Sequence, residues 1–243
     1  LVQSNWSFTQ VTANVTDVPP QAANVTTLAG NSSVGILFGA ANDVLYAECG
    51  LAACDNQNIE AAAMTSRGGL AARGNEKHAS QPQGRYLACT GSGCATTHNW
   101  TSTTAGLNNG ASFVRAAPTR LRIFALAQGS PISALVESHC SITGSGTGGN
   151  WQLRLVATDA GSAEQLDVAF DTAERATAVF RSTLGTLSSA IEQSDGGYLG
   201  APVPVCGAAF PGALPVPWVS DAGQLSVFFH ATDTRDLRYY FAP

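Results

Sequence analysis

Four histidines, six cysteines and four tryptophans carry the chemistry of this 243-residue chain that goes beyond packing. His98 and Trp100 lie one residue apart in Thr97-His98-Asn99-Trp100-Thr101. In a strand, residues i and i+2 face one side, so this imidazole and indole would project together. His139 directly precedes Cys140. Neutral imidazole suits zinc, copper, nickel or iron. Zinc prefers four ligands, and no third histidine or carboxylate has a clear place beside these two. Copper(I), which tolerates low coordination, is the metal that His98 and His139 suit. His78 is the substitute for His139, and His230 falls at the other end of its unit. A lone histidine in a β protein is otherwise a surface or satisfied core side chain.

No other constellation reads as an active site. There is no G-x-S-x-G elbow, and the glycine-rich run 144–149 has no helix pattern after it to hold a phosphate. The acids Glu137, Asp159, Asp167, Asp171, Glu192 and Asp233 are scattered, and no calcium-loop spacing occurs. The expectation is a binding protein, not an enzyme.

The cysteines set the compartment. Cys49 and Cys54 bracket Gly-Leu-Ala-Ala, and Cys89 and Cys94 bracket Thr-Gly-Ser-Gly. Such spacers suit small disulfide-closed loops, and Cys140 then pairs with Cys206 by elimination. Disulfides imply an oxidising environment, so a secreted or cell-surface protein is expected. The opening LVQSNWSF has no basic or apolar leader, as in a processed mature chain. The most apolar stretch, 200–219, contains five prolines and does not read as a spanning helix. A net charge of −5 argues against a nucleic-acid partner.

The elements that would position these residues repeat. Apolar strands ending on Phe38, Phe124, Phe180 and Phe228 lie 86, 56 and 48 residues apart. The first gap implies a degenerate copy near 75–81. Each is followed by a polar turn and a second strand, and Cys49, Cys89 and Cys140 each follow that second strand. A period of roughly 45 residues with several strands per unit is a propeller signature. The expected fold is all-β: an irregular, propeller-like arrangement of about five small antiparallel sheets, disulfide-stapled, in a single domain over 1–243. The alternating segment Trp6–Val11 would pair with the C-terminal sheet and close the ring. The segment 165–182 reads as two strands about a DTAER turn. An irregular β-sandwich is the alternative fold.

On His98-Asn99-Trp100 with His139 downstream, the chain resembles the surface copper-binding proteins of methane-oxidising bacteria, the MopE and CorA type. The resemblance implies Cu(I) held by His98, His139 and a kynurenine formed from Trp100. It implies copper acquisition at the outer face of the outer membrane, with an outer-membrane or surface partner. Two other functions fit the residues. A secreted, lectin-like carbohydrate-binding β-propeller would use Trp6, Trp100, Trp151 and Trp218 as sugar platforms. A structural surface protein would bind neither metal nor sugar.

Overall fold

Short apolar runs broken by Gly, Ser, Asn and Asp fold as antiparallel meanders, because each run is long enough for one strand and each break supplies a turn. The computed structural model describes residues 21–26, 32–40, 43–49, 54–60, 69–73, 76–81, 85–90, 94, 100–104, 112–116, 121–128, 133–140, 151–161, 166–199, 203–205 and 212–241.

Five sheets follow one another along the chain. Sheet 1 runs β1 (Gln21–Thr26), β2 (Ser32–Ala40), β3 (Asp43–Cys49), β4 (Cys54–Glu60). Sheet 2 runs β5 (Gly69–Arg73), β6 (Glu76–Gln81), β7 (Arg85–Thr90), β8 (Trp100–Thr104). Sheet 3 runs β9 (Ser112–Ala116), β10 (Leu121–Gln128), β11 (Ser133–Cys140), β12 (Trp151–Ala157). Sheet 4 runs β13 (Leu166–Phe170), β14 (Ala176–Arg181), β15 (Leu187–Ile191), β16 (Val203–Pro204). Sheet 5 has three strands, β17 (Gly212–Val219), β18 (Leu225–Ala231) and β19 (Leu237–Phe241).

First strands of successive sheets meet: β1 with β5, β5 with β9, β13 with β17. The first strands are therefore inner and the fourth strands outer, as in the blades of a propeller. Four apolar cores fill the four junctions. Leu37 and Tyr46 meet Leu70 and Leu87 between sheets 1 and 2, and Tyr86 and Ala88 meet Leu121 and Ile123 between sheets 2 and 3. Phe124 and Val156 meet Leu166 and Phe180 between sheets 3 and 4. Val179 and Leu187 meet Val227 and Phe229 between sheets 4 and 5. Each fully buried large apolar side chain contributes about 1.5–3 kcal/mol.

A strand covered on both faces loses its period of two. Leu121–Leu126 of β10 and Ala176–Phe180 of β14 are buried without a break. The degenerate copy is β6, whose buried residues include Lys77, His78, Ser80 and Gln81. Polar side chains there hid the apolar signal.

The DTAER segment is a turn between β13 and β14. Asp171 Oδ1 accepts the N–H groups of Ala173 and Arg175 at 2.9 and 2.8 Å. Cys89 and Cys94 form a disulfide with Cα atoms 5.9 Å apart. Cys49 is also disulfide-bonded, and Cys54 is its partner across the β3–β4 ladder. The expected Cys140–Cys206 bridge and the Trp6–Val11 strand lie outside the described residues. No helix among them is long and apolar enough to cross a membrane.

Candidate functional site

One end of the sheets collects the β3–β4, β7–β8 and β11–β12 connections, since strands alternate in direction. The fourth strands start there. Trp100 opens β8 opposite Cys89, and Trp151 opens β12 opposite Cys140. The two tryptophans therefore occupy equivalent positions in adjacent sheets. Each is half-buried and packs on a tyrosine of the preceding sheet. Tyr46 of β3 meets Trp100 at 5.1 Å between ring centroids and 64° between planes. Tyr86 of β7 meets Trp151 at 5.0 Å and 67°. Such edge-to-face pairs add about 0.5–1.5 kcal/mol beyond burial.

The polar surroundings differ. At the first junction Trp100 Nε1 donates to Cys94 O at 2.8 Å. Cys94 is tied by its disulfide to Cys89, itself the strand partner of Trp100. The indole thus closes a circuit of ladder, disulfide and hydrogen bond. Tyr46 Oη donates to Glu48 Oε1 at 3.0 Å. Burial, then the charge of Glu48 and this hydrogen bond, push the Tyr46 hydroxyl far above the ordinary phenol range, so it stays a donor. Lys77 Nζ lies 3.6 Å from the same carboxylate.

At the second junction the Trp151 Nε1 is buried without an acceptor among the described residues. Its tyrosine is engaged instead: Tyr86 Oη lies 2.6 Å from His78 Nδ1, and the two rings stack at 6.0 Å. His78 Nε2 lies 3.4 Å from Glu76 Oε2. Gln152, next to Trp151, is exposed, as is Thr101 next to Trp100.

The third junction adds an ionic cluster to its apolar core. Arg122 of β10 is fully buried and holds Glu192 Oε2 at 2.8 Å. It also donates to Glu174 O at 3.1 Å and Tyr198 Oη at 2.9 Å, with the Phe124 and Phe170 rings at 5.5 and 5.2 Å. Arg154 reaches Glu192 Oε1 at 3.1 Å. Arg122 faces His139 in the ladder as His78 faces Ala88, each one step from the cysteine.

No protein-family model matches the sequence, and no curated protein matches it. Solved structures do. A lectin of Aleuria aurantia, as an N224Q mutant with Fucα1-6GlcNAc, superposes with a TM-score of 0.63 at 15% identity, covering 92% of this chain and 74% of that one. A fungal-lectin structure of the same protein, described as a six-bladed β-propeller with a novel fucose recognition mode, gives 0.59 at 12% identity, covering 92% and 76%. The fold is of the β-propeller type. A fungal alcohol oxidase of the AA5 family, in complex with copper, gives 0.55 at 12% identity, covering 91% of this chain and 52% of that one. The chain spans about half that oxidase's length, and the likeness is one of fold.

The copper-acquisition reading of His98, Trp100 and His139 does not hold. Similar structures include propeller lectins that recognise fucose, and the residues lend copper no support. Trp100 is half-buried against the first core, and its nitrogen is bonded to Cys94 O. Among the described residues no three His, Cys, Asp or Glu groups are placed to hold a metal ion. His139 lies in β11 opposite Arg122 and Gln152, and His98 lies outside the described residues. His78 is committed to Tyr86, and His230 sits at the far end of β18. Trp218 lies on the first strand of sheet 5, so it is not a third equivalent of Trp100 and Trp151. Sequence reasoning missed Tyr46 and Tyr86. Their signal was a repeated Tyr-x-x-Cys, in Tyr46-Ala-Glu-Cys49 and Tyr86-Leu-Ala-Cys89.

Proposed function

We propose that the chain is a secreted or cell-surface carbohydrate-binding protein that stacks sugar rings on the half-buried Trp100 and Trp151, each braced by a buried tyrosine. The observation that carries this is the repetition of a half-buried tryptophan packed edge-to-face on a fully buried tyrosine, in one geometry, at equivalent positions of adjacent sheets. The apolar C–H face of a pyranose stacks on an aromatic ring, while its hydroxyls need donors and acceptors at the rim. Glu48 supplies such a group at the first junction and Glu76 at the second. The recognition of fucose by propeller lectins of similar fold supports this class of ligand. The Cys89–Cys94 disulfide supports an oxidising location. The chain binds its ligand and does not transform it.

Retention on a panel of immobilised monosaccharides tests this. Retention on at least one sugar, with elution by the same free sugar, is expected. Passage through every column would remove the reading.

A further inference from the structure

The first junction departs from the second at two register positions. Lys77 stands opposite Cys89 in sheet 2, as Leu121 stands opposite Cys140 in sheet 3. Glu48 directly precedes Cys49 in sheet 1, as Ala88 directly precedes Cys89 in sheet 2. Ala88 and Leu121 belong to one apolar core at the second junction. At the first junction the same two positions hold a carboxylate and an ammonium 3.6 Å apart. Lys77 is the one lysine of the chain, and its side chain is 1% exposed against 14% for Glu48.

Stability does not call for that exchange. Lysine is almost never fully buried unless it is paired. Taking two ions out of water offsets most of their attraction, and well-packed apolar residues in their place are often as stable or more so. The second junction shows the apolar solution in the same fold. The ion pair is therefore to be explained by the site beside it. Glu48 Oε1 accepts the Tyr46 hydroxyl at 3.0 Å, and it is also the oxygen that Lys77 Nζ approaches. Tyr46 in turn braces Trp100. Both contacts fall on Oε1, which leaves Oε2 to accept a hydroxyl of a sugar stacked on Trp100. An ionised carboxylate with no counter-charge would instead draw cations to this place.

We infer that Lys77 is a specificity-determining residue of the Trp100 site: by neutralising Glu48 from the interior, it makes the site one for uncharged sugars. Glu48 then acts as a hydrogen-bond acceptor and not as the partner of a ligand cation. The ligand class is a neutral pyranose that donates a hydroxyl to Glu48. This rests on the carbohydrate reading above.

Calorimetric titration of the whole chain at about pH 6, where carboxylates and sugar ammonium groups are both charged, tests this. The probes are D-galactose, D-glucose, D-mannose and L-fucose, each beside its 2-amino-2-deoxy counterpart. The phase read is the one that Trp100→Ala abolishes. In the unaltered chain a sugar and its amino counterpart should bind within about threefold of each other, since the site carries no net charge. Lys77→Met should move that ratio about tenfold or more toward the ammonium form, and Lys77→Arg should keep it at the unaltered value. Should Lys77→Met fail to fold, Lys77→Leu combined with Glu48→Ala takes its place, because it copies Leu121 and Ala88. That double variant should melt no lower than the unaltered chain and bind neutral sugars about tenfold more weakly. The inference is overturned if the unaltered chain already prefers the ammonium form by about tenfold, if Lys77→Met folds and leaves the ratio unchanged, or if the double variant binds as tightly as the unaltered chain. Each of these outcomes leaves the carbohydrate reading standing. Absence of sugar binding by the unaltered chain overturns both.

Discussion

Trp100 and Trp151 are the same residue in the same place, and they are held differently. Their rings meet Tyr46 and Tyr86 at nearly equal distance and angle. At the first junction the indole nitrogen is bonded to a carbonyl fixed by a disulfide; at the second it has no acceptor among the described residues. The repeat thus conserves apolar geometry and lets the polar completion drift. A platform already locked loses less freedom when a ligand arrives. The first junction should therefore bind sugar more tightly than the second.

The third junction sets the upper end of the scale. Glu192→Ala strands two arginines, one fully buried, and should destabilise the chain by about 3–5 kcal/mol. Urea unfolding measures this, and sugar affinity should not change, because no ring of the two aromatic junctions touches Glu192. Next come Trp100→Ala and Trp151→Ala, at about 2–4 kcal/mol each for half-buried aromatics. Each should also abolish one of two binding phases in a calorimetric titration, Trp100→Ala the tighter and Trp151→Ala the weaker.

The disulfide sharpens the comparison further. Replacing Cys89 and Cys94 together by Ser should cost about 2 kcal/mol from loop closure. It should weaken the tighter phase alone, because only Trp100 leans on Cys94. The smallest effect is the most discriminating. Trp→Phe keeps an aromatic ring and deletes the N–H. It should cost about 1 kcal/mol more at position 100, where a bond is lost, than at 151, whose N–H has no acceptor among the described residues. Equal costs would mean that the Cys94 bond contributes nothing.

Much of this architecture was legible before the fold was known. The Phe strands at 38, 124, 180 and 228 fall in β2, β10, β14 and β18 because second strands are apolar on both faces. The missing copy at 75–81 fell in β6 even though its buried residues are polar, because spacing survives a change of composition. Sequence shows that an imidazole can bind a metal but not that His78 is already held by Tyr86. Trp100 was read for its neighbour His98 and also, with Trp151, as a sugar platform; pairing with Cys89 and Cys140 places the two at equivalent positions. The tyrosines stayed unseen because an edge-to-face pair joins residues 54 and 65 positions apart in the chain, across a sheet boundary. Arg122 and Glu192 meet across 70 positions and carry no local pattern at all.

The most direct test of the central claim is one glycan array probed with the unaltered chain, Trp100→Ala and Trp151→Ala at equal concentration. The account predicts binding to a single class of glycan, reduced most by Trp100→Ala and less by Trp151→Ala. Absence of glycan binding by the unaltered chain, or binding that neither substitution changes, would contradict it.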